Sequence, residues 1–377
     1  MAIAGLAKRQ VTAMLETAGV EVGGSRPHDI QVHDERTYRR MALEGTLGIG
    51  ESYMDGWWDC ERVDEMAARV LAAAPGGKIR PAWPSLVLGA KARLMNLQKP
   101  SRAFHVGQRH YDIGNDLYER MLDPRMAYSC GYWRTATDLA AAQEAKLDLV
   151  CRKLGLEAGM TLLDIGCGWG SLAAYAAERY GVRVTGLTVS VEQAKLARER
   201  CKGLDVDIVV SDYRAWAGRP ERFDRVASVG MLEHVGHKNY RSCMEVAHHL
   251  LADGGLMLLH TIGTIRSEVS TDPWTHRYIF PNGMVPSLPQ LGAACDRLFL
   301  LEDLHGFGQD YDPTLLAWHA NLAGWDEMEE RYGERFWRMW SYYLLTAAAS
   351  FRARRLQLWQ LVLAKDRGVP GGYIPVR

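Results

Sequence analysis

Apolar and polar positions along this chain follow two rhythms. From Thr161 onward, short apolar runs alternate with stretches of helical period. Thr161 to Ile165, Arg183 to Thr188, Asp207 to Ser211, Phe223 to Val229 and Leu256 to Ile262 read as strands with helices between them. Repeated units of this kind predict a parallel sheet covered on both faces. Leu298 to Leu304 reads as another strand, Phe336 to Arg352 as a long helix, and Leu356 to Lys365 as a last strand antiparallel to the Leu298 strand. Ahead of this region the pattern is mixed, with a helix near Ala4 to Ala18, a short strand at Ile30 to Val32 and a helix around Glu35 to Glu44. Gly45 to Cys60 is dense in glycine and aromatics and reads as a packed loop, with a ligand pocket as the alternative. Pro75-Gly76-Gly77, Pro81 and Pro84 then break regular structure. After them Ser85 to Asn96 has an amphipathic helical pattern, Lys91 and Arg93 lying beside Leu86, Leu88 and Leu94. Such a helix lies on a bilayer or packs on its own domain.

Composition narrows the function classes. The 377 residues suffice for one large domain and a smaller one. With 45 basic and 45 acidic residues there is no general attraction to nucleic acid. Charge is unevenly placed, however. Between Glu65 and Asp112 no acidic residue occurs, whereas Arg69, Lys78, Arg80, Lys91, Arg93, Lys99, Arg102 and Arg109 all do. The band is either a solvated linker or a face for anionic phospholipid. The seven cysteines are scattered without a C-x-x-C pair, which points to a reduced cytoplasmic compartment and away from a zinc ribbon. No export signal or run of ~20 apolar residues is visible, so a soluble or peripheral protein is expected.

The chemistry gathers around L-L-D-I-G-C-G-W-G-S, Leu162 to Ser171. A buried strand ends at Asp164, Gly166, Gly168 and Gly170 make the turn, and Ser171 opens an Ala-rich helix. Ser171 stands where a dinucleotide fingerprint has its last glycine, which weakens a pyrophosphate reading. Asp-x-Gly-x-Gly-x-Gly after a strand resembles instead the S-adenosylmethionine (SAM) site of Rossmann-like methyltransferases. An acidic residue for the ribose is absent after the second strand, where Thr188 and Gln193 are the nearest polar groups. After the third strand, Asp212 suits the adenine amino group and Tyr213 the ring, unless Asp212 only caps a turn. Glu233 follows the fourth strand and His260 ends the fifth, both at the carboxyl edge where ligands bind. A lone strand-end histidine is commonly structural, but Glu233 and Cys130 as neighbours favour a site. Asp272 to Pro286 reads as a long aromatic loop, and His305 to Trp318 brings Tyr311 to the same edge.

Taken together, H-Y-D-I-G-N-D-L-Y, Y-S-C-G-Y-W, L-D-I-G-C-G-W-G, G-M-L-E-H-V-G-H-K-N-Y, L-L-H-T-I-G and Y-I-F-P-N-G resemble the bacterial cyclopropane-fatty-acid synthases, relatives of the mycolic acid cyclopropane synthases. The likeness covers nearly the whole chain, and Gly45 to Trp58 looks like the extra amino-terminal domain of the full-length bacterial synthases. The resemblance implies an α/β fold: a mostly parallel, Rossmann-like SAM-dependent methyltransferase sheet with an antiparallel last strand, plus a smaller, mainly helical N-terminal domain. Expected divisions are 1–80 as an accessory domain for membrane or substrate positioning, 81–104 as a basic linker and 105–377 as the catalytic domain. The implied activity moves a methylene group from SAM to a cis double bond in a phospholipid acyl chain. Implied bicarbonate ligands are Cys130, Gly230, Glu233, His260, Ile262 and Tyr311. Implied SAM contacts are Tyr128, Ser129, Asp164, Gly166, Gly168, Gly170, Thr188, Gln193, Asp212 and Tyr213. A homodimer peripherally attached to the inner face of the cell membrane completes the expectation.

An isolated alkene is a poor nucleophile, so such a reaction needs a dry, oriented encounter with the sulfonium. It generates a carbocation that water would quench, and aromatic faces would shelter it. Trp274, Tyr278 and Phe280 are tunnel candidates, with core packing as the other role for each. A base must then remove a proton from the new methyl group, and bicarbonate held by Glu233, His260 and Tyr311 suits that task. Cys130 as a nucleophile answers no need of this reaction, and zinc on Cys130, Glu233 and His260 lacks a recognisable supporting shell. Two other readings stay open: a methyltransferase that stops before ring closure, and a lipid-surface protein that uses SAM as a regulatory ligand.

Overall fold

The computed structural model describes residues 2–74, 83–94, 96, 98, 114–365, 367–369 and 371–377. Lys78, Arg80, Lys99, Arg102 and Arg109, and the His105 to Ile113 part of the first motif, lie outside the described residues. The chain forms two compact units, each assembled from separated segments. The first comprises Met1–Met95, Val269–Pro281 and Tyr311–Leu356; the second comprises Asn96–Glu268, Asn282–Asp310 and Gln357–Arg377. Contacts thus group 269–281 and 311–356 with the amino-terminal residues, where the sequence had suggested contiguous divisions at 80 and 105.

The first unit is helical, apart from a two-stranded antiparallel ribbon of β1 (Gln31–Val32) and β2 (Trp58–Asp59). Its longest helix, Glu334–Arg352, packs on Val63–Ala73, Tyr311–Ala323 and Thr46–Met54. Two expectations are corrected here. Gly45 to Cys60 is not a loop: Thr46–Met54 is helical. The physical reason is contact, since a Cβ on Gly48 would overlap the Arg40 carbonyl and one on Gly50 the Trp274 indole. The glycines let neighbouring backbone and ring approach closely, at the cost of helix propensity. Likewise, Asp272 to Pro286 contains the helix Pro273–Tyr278, with Asp272 accepting from the N–H groups of Trp274 and Thr275.

The second unit carries a seven-stranded sheet in the order β5-β4-β3-β6-β7-β9-β8. Its strands are β3 (Thr161–Ile165), β4 (Arg183–Thr188), β5 (Val206–Val210), β6 (Phe223–Val229), β7 (Leu251–Thr264), β8 (Leu300–Gly306) and β9 (Leu356–Ala364). β3 pairs in parallel with β4 and β6, β4 with β5, and β6 with β7, while β8 and β9 are antiparallel. Side chains alternate between two cores: Leu163 and Ile165 of β3 enter one, Leu162 the other. Helices Leu139–Lys153 and Ser171–Tyr180 cover one face, and Tyr240–Leu250 and Leu288–Cys295 the other. Strand order reverses beside β3, the position at which an open α/β sheet leaves a crevice at its carboxyl edge.

Candidate active site

The glycine turn after β3 floors a cavity of about 190 Å³ in the second unit. Gly166 has φ of 90°, and a Cβ there would come within 2.7 Å of Met231. Gly168, at φ of 56°, has open space where its Cβ would be, which leaves the backbone available to a ligand. Tyr128, Ser129, Asp164, Gly166, Gly168, Thr188, Gln193, Asp212 and Tyr213 all line this cavity, joined by Gly230. Gly170 does not line it. It caps the helix Ser171–Tyr180 with a left-handed φ of 81°.

Short-range bonds fix the lining. Thr188 Oγ1 donates to Gln193 Oε1 at 3.1 Å, and Ser190 caps the helix that carries Gln193. Asp212 is used as a turn cap, its Oδ1 accepting from the Arg214 N–H and Nε at 2.9 Å each, while it also borders the cavity. Asp164 is buried at the end of β3 with Oδ2 unpartnered, and burial pushes its carboxyl up to about 7. Lys146, which pattern reading passed over, lines the same cavity and donates to Ser129 Oγ at 2.8 Å. Burial lowers its ammonium to about 8. The signal was present: Gln143, Lys146 and Lys153, spaced by three and then seven positions, fall among apolar residues on the buried stripe of Leu139–Lys153.

At the end of β6 a second group of polar atoms gathers. Val229 pairs with His260 on β7, the Gly230 N–H donates to the His260 carbonyl at 2.9 Å, and β6 then ends. The next N–H on that side of β7, from Ile262, finds a side chain in place of a strand, donating to Glu233 Oε1 at 2.6 Å. Glu233 Oε2 and His260 Nε2 are both buried without a partner. Burial lifts the Glu233 carboxyl to about 7, despite the stabilising Ile262 N–H. Burial, and secondarily the positive fields of Lys146 and Lys153, hold the His260 ring well below its usual value. His260 Nδ1 is 3.2 Å from the amide nitrogen of Gln360 on β9, another residue that pattern reading missed although it interrupts the apolar run L-W-Q-L-V-L. Cys130 is fully buried, with its thiol 3.2 Å from the Gly131 carbonyl.

The remaining candidates belong to the first unit. Tyr311 opens the helix Tyr311–Ala323, its ring stacked on Phe351 at 4.4 Å. Trp274 is buried against Tyr342 and Tyr278, with its indole N–H 3.3 Å from the Met54 sulfur. Tyr278 donates its hydroxyl to Glu51 at 2.7 Å, and Phe280 meets Tyr343 edge-on at 5.8 Å. These are contacts of a packed aromatic layer. Among the described residues no group of His, Cys, Asp and Glu could hold a metal ion.

A deep crevice at the carboxyl edge, an orphan carboxylate over a glycine turn and polar residues after β4 and β5 suit a ligand with a cationic methionyl part and a nucleoside. Known proteins agree with that reading. Residues 98–361 match the family model described as mycolic acid cyclopropane synthetase. The chain is 49% identical over 365 residues to the cyclopropane-fatty-acyl-phospholipid synthase of Escherichia coli (strain K12), covering 97% of this chain and 94% of that one. It is 37% identical to cyclopropane mycolic acid synthase 2 of Mycobacterium leprae, over 75% of this chain and 99% of that one. The structure of mycolic acid cyclopropane synthase CmaA1 complexed with SAH and CTAB superposes with a TM-score of 0.64 at 33% identity, over 70% of this chain and 98% of that one.

Proposed function

Because the chain belongs to the mycolic acid cyclopropane synthetase family and is a SAM-dependent methyltransferase, we propose that it transfers a methylene group to the cis double bond of an unsaturated phospholipid acyl chain, closing a cyclopropane ring. The strongest structural support is the placement of two unpartnered buried polar atoms beside the glycine-turn cavity, Glu233 Oε2 in the turn that follows β6 and His260 Nε2 at the β7 position paired with the last residue of β6. Both atoms have lost water on folding, and each gains from a small ligand that offers a donor or an acceptor.

SAM, when bound, supplies the electrophilic one-carbon unit. The lining fits it: Asp164 offers a carboxylate to its cationic part, the open backbone at Gly168 allows close approach, and Thr188, Gln193, Asp212 and Tyr213 are the groups for its nucleoside. Bicarbonate, when bound, supplies an acceptor for the proton leaving the new methyl group. Glu233 and His260 would hold it, with Tyr311, Cys130, Gly230 and Ile262 as further ligands. Within the fold the Ile262 N–H already bonds Glu233 and the Gly230 N–H bonds the His260 carbonyl. Those two N–H groups therefore orient the acid and the strand end. The rest of the work is exclusion of water, since a carbocation in an aqueous site would be captured before ring closure.

The protein would act at the cytoplasmic face of the membrane as a peripheral enzyme and a homodimer. Residues 1–80 and the basic segment 81–104 would position the bilayer, and Trp274, Tyr278 and Phe280 would border the acyl path. The test is incubation of the full chain with methyl-labelled SAM and vesicles of unsaturated phospholipid. Label in the lipid with cyclopropane proton resonances in its NMR spectrum is the expected result. Label found in a branched or exomethylene chain would replace ring closure with simple methylation or methylenation, and no label would end the assignment.

A further inference from the structure

The part of the sheet formed by β7, β9 and β8 holds a row of polar side chains. Gln360 of β9 has β7 on one side and β8 on the other, stands in register opposite His305 of β8, and lies 3.2 Å from His260 Nδ1 of β7 through its amide nitrogen. Directly opposed residues of an antiparallel pair project to one face, so all three share it. Phe307 packs edge-on to His260 at 5.8 Å and tilts against His305 at 5.0 Å, while Tyr132 meets His305 at 5.8 Å. Gln360 and His260 are 0% and 1% exposed. An apolar residue at this position would avoid the desolvation of an amide, so the amide must be accounted for by what it bonds.

We propose that Gln360 is a positioning residue that fixes the neutral tautomer of His260, with its amide N–H donating to Nδ1 and the ring proton therefore on Nε2. His260 then meets a bound anion as a hydrogen-bond donor and is not the base that removes the substrate proton. The role toward an anion rests on the function proposed above; the tautomer itself does not. Gln360 Oε1 is itself buried without a partner, so the bond that fixes this amide is the one from its nitrogen to Nδ1. Nδ1 can accept only if unprotonated, and a neutral imidazole has one proton, which must then be on the buried, unpartnered Nε2. Burial together with Lys146 and Lys153 keeps the ring uncharged. The other titratable groups near it are His305 in the same row, which burial lowers to about 4, and Glu233, bonded two residues further along β7. In Gln360→Glu the carboxylate would accept from Nδ1–H, which moves the neutral ring's single proton from Nε2 to Nδ1 and raises the ring's affinity for a second proton at Nε2.

The test uses the full chain with 15N-labelled histidine and no substrate, with His260 identified by the signal lost in H260N. Long-range 1H–15N correlation at neutral pH is expected to show His260 neutral and protonated on Nε2. In Gln360→Glu the proton should move to Nδ1 and the ring should begin to titrate in the accessible range. Methylene transfer should fall at least about tenfold, with SAM affinity held within about twofold and a new limb in the pH profile of kcat. Gln360→Met removes the amide without adding a buried charge and should give a mixture of tautomers, which keeps the proposal testable if the glutamate variant folds poorly. An Nδ1-protonated His260 in the parent protein, or an unchanged tautomer in both variants, overturns it. The spectrum is read without turnover, so a failure of the lipid assay is separately visible.

Discussion

Glu233 occupies the place of a missing strand, and its chemistry follows from that position. One oxygen is held by the Ile262 N–H and the other is left without a partner in a buried site. Replacing it by Gln keeps an acceptor for Ile262 and removes the acid. Because Glu233 is outside the lining of the glycine-turn cavity, Glu233→Gln should bind SAM within about twofold of the parent while turnover falls on the order of 10²-fold or more. Parallel losses in calorimetric affinity and labelled-methyl turnover would remove the assigned role. Stability gives a second measurement. The folded carboxyl titrates near 7 against an ordinary 4.5, so the folded state binds this proton more tightly than the unfolded chain. That contribution is fully present below about pH 4.5 and is lost as pH rises through 7. Denaturant titrations at pH 5 and pH 8 should therefore show Glu233→Gln gaining on the parent as pH rises, by an amount on the order of 3 kcal/mol at most. At this scale the positions of Asp164, Glu233 and His260 near the carboxyl edge of the sheet were legible, because they follow from where the apolar runs stop, although β7 runs past His260 to Thr264. The sequence was silent on Lys146 and Gln360, because a polar residue inside an apolar period declares its burial but not its partner.

The glycine-aromatic stretch after Gly45 shows how an element can be misread for a physical reason. Glycine lowers helix propensity, so the pattern there predicts a loop, yet Thr46–Met54 is a helix sustained by what it packs against. Gly50 faces the Trp274 indole with no room for a Cβ, and Trp274 in turn meets Tyr342 at 4.8 Å. Gly50→Ala would improve propensity by about 1 kcal/mol if the segment were a free surface helix. Here overpacking against a rigid ring should outweigh that gain and leave the variant about 1–3 kcal/mol less stable, read as a lower denaturant midpoint with unchanged slope. A neutral or stabilising result would mean that Trp274 is not seated on this helix. By contrast, β3 to β6 begin and end within one or two residues of their expected places, because continuous apolar runs between turn signals are a local property of the chain. Which segments join a unit is not local. Residues 269–281 and 311–356 group with the amino-terminal helices through side chains hundreds of positions apart, as in the Tyr278 to Glu51 and Arg338 to Tyr53 hydrogen bonds.

At the scale of the whole molecule, the proposed reaction on a bilayer phospholipid requires a surface-attachment face, and no helix among the described residues is long and apolar enough to cross a membrane. The helix Trp83–Leu94 of the first unit supplies both ingredients of surface attachment. Leu86 and Val87 are 56% and 48% exposed, and Lys91 and Arg93 are exposed near its carboxyl end. Apolar side chains entering the headgroup boundary and cations near anionic lipid reinforce each other, the latter by about 1 kcal/mol per residue near the surface. The combined variant Lys91→Glu and Arg93→Glu should therefore weaken sedimentation with vesicles containing anionic phospholipid by roughly tenfold or more at low salt, and the difference from the parent should shrink as added salt shortens the Debye length below about 8 Å. Leu86→Ser with Val87→Ser should also weaken binding, with a loss that persists in high salt because it removes buried apolar area and not charge. Neither variant touches the glycine-turn cavity or the Glu233 and His260 pair, so SAM affinity serves as the control for folding. If both variants bind vesicles as the parent does, this helix is not the attachment face, and the basic residues at 99 and 102 become the ones to neutralise next.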